Sequence, residues 1–227
     1  MLTLELVTGS GFGTLLGVQH ALEPDHLAAV STLVSEERSS YRAALLGVSW
    51  GLGHTSSLVI VGTALVLLRA DLPSGVAELF EFAVALMMIA LGVRAIGMAT
   101  QHRAGAHVHP HDAASVAQRP PPAKGRTLSR RPLMYGIVHG LAGSGALTAL
   151  VVTTLPSTAA RLTYLALFGL GSTLGMAVLS GMLGWPLARM GTRHAVTRGI
   201  SLLVGCVSAG LGTIKAYPHV VQFLSQP

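Results

Sequence analysis

Six stretches of this chain, 12–34, 43–68, 76–98, 132–154, 162–187 and 196–217, are apolar and long. Each is enough to cross the hydrocarbon core of a bilayer, which takes about 20 helical residues. In lipid every backbone N–H and C=O must find a partner inside the protein, and for runs of this length the α-helix is the solution. The chain therefore reads as an all-α integral membrane protein with six transmembrane helices. Composition agrees, with 51% hydrophobic residues, 11% charged residues and 27 glycines in 227. Small residues let membrane helices approach closely. The net charge of +6 comes from arginines between apolar runs. That placement argues for loop topology and anionic lipid, and against nucleic acid. The single cysteine, Cys206, lies in an apolar run and supports neither a disulfide framework nor a thiolate metal site. The N-terminal Met-Leu-Thr-Leu-Glu lacks the basic region of a cleaved signal peptide.

Residues 99–131 are the one segment with soluble character. They carry His102, His107, His109, His111 and Asp112, followed by Arg119-Pro120-Pro121-Pro122. Proline and charge mark a flexible linker. It divides the chain into an N-terminal unit, 1–98, and a C-terminal unit, 132–227. Loops 1–2, 3–4 and 5–6, with the span ends that border them, hold twelve arginines and lysines, against Arg69, Arg161 and Lys215 toward the other face. That asymmetry places the His-rich linker in the cytoplasm and both termini outside the cell membrane.

The two units share sequence. Gly17-Val18-Gln19-His20-Ala21-Leu22 recurs as Gly136-Ile137-Val138-His139-Gly140-Leu141, and Trp50-Gly51-Leu52-Gly53-His54-Thr55 recurs as Phe168-Gly169-Leu170-Gly171-Ser172-Thr173, at offsets of 119 and 118. Two matches in the same order at nearly one offset indicate a repeat. Three spans per unit is an odd number, so the two units must cross the membrane in opposite directions. Inverted repeats of this kind place a transporter's substrate site near the midplane, on interrupted helices. The expected architecture is two inverted three-helix repeats, the first helix of each being broken.

Against this apolar background stand His20, Glu23, Asp25, His26 and His54. An ionisable group at the centre of a membrane helix costs about 2.5–3.5 kcal/mol on insertion scales, so a group of them calls for a compensating partner such as a cation. His139 lies eight residues beyond Arg131. That is about 12 Å along a helix anchored at the cytoplasmic interface, so His139 falls near mid-membrane, and the repeat puts His20 at similar depth. On one continuous helix His20 and His26 would be about 120° apart around the axis and could not face one ion. Pro24 supplies the break between them, since proline removes a backbone donor yet suits the first position of a new helix. Imidazoles with one or two carboxylates and no thiolate suit a divalent first-row ion such as nickel, cobalt or zinc.

His20-x4-Asp25-His26 has the form His-x4-Asp-His, and Trp50-Gly-Leu-Gly-His54-Thr-Ser-Ser-Leu-Val follows one span later. Together they resemble the nickel/cobalt transporter superfamily, in its short, six-span branch of urease-accessory-type and nickel/cobalt efflux-like permeases. The resemblance implies a permease, not an enzyme, that carries Ni²⁺ or Co²⁺, with Zn²⁺ as the alternative cargo and no permanently bound cofactor. It also implies His20, Asp25, His26 and His54 as metal-binding positions, with Glu23 and His139 as further candidates. Metallochaperones or urease and hydrogenase maturation proteins would be the partners. Gln19 and Glu23 stand where that family usually has arginine and aspartate.

Other readings attach to the same residues. His54 can serve as an interhelical hydrogen-bond donor, and His139 can pair with Ser144 or a backbone carbonyl. The loop histidines can collect metal at the cytoplasmic mouth or be dispensable. Glu78 and Glu81, at the start of the third span, read most simply as interfacial. His20-x-x-Glu23-x-x-His26 also suggests an intramembrane metalloenzyme, although Pro24 disrupts the helical face that zinc motifs require. A haem-binding electron carrier using His20, His54 or His139 is the third reading. The glycine-rich stretches read as packing surfaces, because no Gly-Lys-Ser/Thr follows them.

Overall fold

The structure, a computed structural model, describes residues 12–35, 37, 39–104, 130–189 and 194–225. Among these residues it is all helical. Helix α1 occupies 12–20, and it is followed by α2 (Pro24–Val34), α3 (Ser40–Leu68), α4 (Ser74–Ala104), α5 (Arg130–Thr154), α6 (Thr158–Arg189) and α7 (His194–Ser225). Four helical segments are long and apolar enough to cross a membrane: Ser40–Leu68, Ser74–Thr100, Thr158–Arg189 and Ala195–Ser225. Polarity is inside out. Ile60, Met182, Leu203, Ile214 and Phe223 are exposed on the outer surface, while Asp25, His26, Ser49, His54, His139, Ser172, Ser180 and Ser208 are buried. A membrane protein shows this distribution, because lipid accepts apolar side chains and the polar groups must be satisfied within the bundle.

The first apolar stretch is two short helices. The last turn of α1 tightens, with the N–H groups of Leu22 and Glu23 donating to the carbonyls of Gln19 and His20 at 3.0 Å each. Glu23 is extended (φ −62°, ψ 147°), as expected of a residue preceding proline, and Pro24 opens α2. The break expected of the other unit does not occur. Helix α5 runs unbroken through His139, because Gly140-Leu141-Ala142-Gly143 stands where the first unit has Ala21-Leu22-Glu23-Pro24 and no proline interrupts it. The helices also extend several residues past the ends expected from hydropathy, so Arg42, Arg130, Arg131 and Arg189 lie within helices and not in loops.

Close backbone approach fixes how the helices meet. Helices α3 and α6 cross with Gly51 against Thr173 and Gly169 against Thr55, each glycine facing the other helix's threonine. At that crossing the Thr55 hydroxyl donates to the Gly169 carbonyl at 2.8 Å and accepts from the Thr173 hydroxyl at 2.8 Å. Helix α5 lies on α3 through Gly136, which faces the Trp50 carbonyl, and Gly53, which faces the Leu133 carbonyl. Helix α1 lies on α6 in the same manner, Gly17 facing the Phe168 carbonyl and Gly171 the Thr14 carbonyl. Helices α4 and α7 pair through Gly92 and Gly205, and the Ser208 hydroxyl donates to the Met88 carbonyl at 3.0 Å. Side chains of Trp50, Met88 and Met176 fill one buried apolar cluster and those of Leu58, Leu165 and Phe168 a second.

Candidate metal centre

The break at Pro24 turns the chain so that residues on either side of it meet. His20 is in the last turn of α1, and Asp25 and His26 are in the first turn of α2. His54 comes from the middle of α3 and His139 from α5. The ring centroids of His20 and His26 are 4.5 Å apart, and each lies 5.2 Å from that of His54. His139 stacks obliquely on His26 at 4.0 Å and is 6.0 Å from His54. His26 and His54 have no exposed surface. The six candidate ligands of the sequence reading thus fall in one region. The side chain of His102, and residues His107, His109 and His111, lie outside the described residues.

Carboxylates occupy one edge of three of the rings. His20 Nδ1 lies 2.8 Å from Glu23 Oε1, His26 Nδ1 lies 3.2 Å from Asp25 Oδ1, and His139 Nε2 lies 3.6 Å from Asp25 Oδ2. At His20 and His26 such a neighbour favours the proton on the facing nitrogen and leaves the lone pair on the other, the arrangement common behind metal-bound imidazoles, whereas 3.6 Å at His139 is longer than a hydrogen bond. Those other nitrogens, His20 Nε2, His26 Nε2 and His139 Nδ1, are buried without a hydrogen-bond partner, as are both nitrogens of His54. Each such unsatisfied group costs about 1–3 kcal/mol. Five in one place are a large cost for a purely structural cluster, and a cation accepting lone pairs from the rings lowers it. Two ligand sets have donor atoms all within 4.8 Å of one another: His20, His26 and His54, and Asp25, His26 and His139. The donor set fits a first-row divalent ion. Its mixture of neutral imidazole and a single carboxylate fits Mg²⁺ or Ca²⁺ poorly.

A residue counted as loop charge also reaches this centre. Lys215, counted among the charges of one membrane face at the end of the sixth span, lies well inside α7, and its Nζ donates to Asp25 Oδ2 at 2.6 Å. The signal for it was present in Lys215-Ala216-Tyr217-Pro218-His219, where charge flanks a proline in an apolar run just as it does around Pro24. Glu78 and Glu81 of α4, read as interfacial, face α7: Gln222 donates to Glu78 Oε2 at 3.1 Å, and His219 Nε2 lies 3.7 Å from Glu81 Oε2. These residues, with His20, Glu23, Asp25, His26 and His139, line one cavity of about 890 Å³. The histidine cluster sits in its wall. Acidic side chains and three of the four clustered histidines, His20, His26 and His139, thus border the same cavity.

Over 215 residues the chain is 30% identical to the urease accessory protein UreH of Bacillus sp. (strain TB-90), a match covering 94% of this chain and 92% of that protein. It is 29% identical over 183 residues to the chloroplast protein FOR GROWTH AND FERTILITY 1 of Arabidopsis thaliana, covering 78% of this chain and 50% of that protein. FOR GROWTH AND FERTILITY 2 of the same plant is 27% identical over 186 residues, covering 81% and 49%. The chain therefore spans about half the length of each plant protein. No family model matches the chain, and no solved structure matches it.

Proposed function

The chain belongs to the family of the urease accessory protein UreH, and from that membership and the histidine cluster we propose that it is a multi-pass permease for a divalent transition-metal ion, Ni²⁺ or Co²⁺. The observation that carries this reading is the convergence of buried, unpartnered imidazole nitrogens from α1, α2, α3 and α5 beside Asp25. His20, Asp25, His26, His54 and His139 hold the ion, and Glu23 orients His20. The ion is cargo, so the site must be open to solvent in turn from each side. The cavity that borders the histidines is the proposed opening on one side.

Six spans in two inverted repeats suit this task. Supporting them are the like contacts of Gly17 on Phe168 and Gly136 on Trp50, of Gly171 on Thr14 and Gly53 on Leu133, and the facing hydroxyls of Thr55 and Thr173. Rocking of one unit against the other about such a crossing exposes a midplane site alternately. The cell membrane, with both termini outside, is the proposed setting, and a urease maturation system is the proposed recipient of the metal. Hydrolytic zinc chemistry is disfavoured, because the turn at 21–23, which contains Glu23, separates His20 from the helix that carries His26.

The test is Ni²⁺ and Co²⁺ flux into proteoliposomes. Wild type is expected to carry either ion, and His26→Ala is expected to carry neither. Undiminished flux in His26→Ala overturns the proposed route.

A further inference from the structure

Resting on the permease reading, the geometry points to a role for Lys215 that metal-binding motifs do not include: its ammonium is a tethered competitor for the transported cation, held by Asp25 when the centre is empty and displaced when a divalent ion arrives. Asp25 is almost fully engaged. Its Oδ1 accepts from the His26 backbone N–H at 2.9 Å, and its Oδ2 accepts from Lys215 Nζ at 2.6 Å. That same Oδ2 is the oxygen facing His139 Nε2 at 3.6 Å. An ion held by Asp25, His26 and His139 forms bonds of about 2.0–2.2 Å to its ligands, within the space of the ammonium's own contact. Two cations cannot share one carboxylate oxygen there, because their mutual repulsion in a poorly solvated site exceeds what one negative charge offsets.

The other ligand set has no such occupant. His20, His26 and His54 carry no formal charge when neutral, and Lys215 is not among their contacts. The order of events follows from this asymmetry. An ion coming from the cavity is first held by the three imidazoles. It gains the carboxylate only when the lysine leaves, and the lysine returns as the ion departs. The lysine can leave. Its side chain is 49% exposed, unlike the buried groups around it, and it lies on the cavity wall with Glu78 and Glu81. Pro218 lacks the N–H that would bond the Ile214 carbonyl beside it, which loosens α7 at this point. The exchange also spares the protein a bare carboxylate, which is costly in a buried position and would otherwise hold the cargo too tightly to release.

A salt bridge serving only to tie α2 to α7 predicts different behaviour, and three measurements separate the two. Ni²⁺ titrations in nanodiscs are expected to show Lys215→Met binding about 10- to 100-fold more tightly than wild type, and Lys215→Arg close to wild type. In proteoliposomes Lys215→Met should lose net flux yet keep Ni²⁺/Ni²⁺ exchange, since only the return of the empty carrier needs the lysine. Equal or weaker binding by Lys215→Met, or a parallel loss of exchange and net flux, overturns the proposal while leaving the permease reading intact. The third measurement needs no variant. The chain has two lysines, Lys124 and Lys215, and saturating Ni²⁺ should speed reductive methylation of Lys215 without changing Lys124. A Lys215 rate that is unchanged or slowed overturns the proposal even if Lys215→Met does not fold. Wild type that binds neither Ni²⁺ nor Co²⁺ removes the permease reading, and this one with it.

Discussion

Gly136→Ala perturbs the centre without touching a ligand. The added methyl on α5 would meet the Trp50 carbonyl oxygen and lie 2.9 Å from the His54 amide nitrogen, where ordinary contact begins at 3.4 Å. Both partners are backbone of α3, so no side chain can swing aside, and the helices must separate by at least 0.5 Å. Overpacking of this kind costs about 1–3 kcal/mol. The larger consequence is at the metal. His54 on α3 and His139 on α5 lie on opposite sides of this contact, and metal–ligand distances tolerate only about 0.2 Å. Ni²⁺ affinity is expected to fall about 10- to 100-fold, the range seen when ligand orientation is disturbed. Calorimetric titration in detergent reads the affinity and a thermal melt reads the packing cost. Gly97→Ala and Gly210→Ala serve as controls, since no described atom lies within 4 Å of the new methyl at either position, and each should be neutral or stabilised by up to about 1 kcal/mol. Wild-type affinity and an unshifted melt in Gly136→Ala would refute the idea that this close approach sets the ligand geometry.

Three further outcomes are expected. His26→Ala removes a member of both ligand sets and should abolish Ni²⁺ binding, whereas His54→Ala and His139→Ala each leave one set whole and should weaken binding by less; equal losses in all three would contradict two overlapping sets. Thr55→Val leaves the Gly169 carbonyl and the Thr173 hydroxyl without their partner and should cost about 1 kcal/mol in denaturation from mixed micelles, at roughly 0.6 kcal/mol per bond in membrane proteins; adding Thr173→Val should cost less than an additive amount. If His102, His107, His109 and His111 gather metal at the cytoplasmic mouth, replacing all four by alanine should lower flux at limiting Ni²⁺ and leave saturating flux unchanged.

How much of this was legible in the sequence depends on the range of the contact. The helix break at Pro24 could be read because its cause lies within the same few residues, and it brought His20 to His26 as expected. Hydropathy located the helices, but it understated their length, because arginines at helix ends reach polar surroundings while their backbone stays helical. Long-range meetings were harder. Lys215 reaches Asp25 across 190 residues, and a lone lysine near the end of an apolar run looks like a loop charge until α7 is known to lie beside α2. Glu81 and His219 were hidden for the same reason. The repeat misled where it was followed too literally, since α5 kept the histidine without the proline that breaks its counterpart.

The position of His26 in both ligand sets limits what the centre can hold. A neutral imidazole has one lone pair, so His26 serves one cation at a time, and the two sets are alternative seats for a single guest. Occupancy of this centre is therefore capped at one ion. Saturation should follow a simple hyperbola with a Hill slope of one, and nickel and cobalt should exclude each other competitively, each behaving as a pure inhibitor of the other's passage.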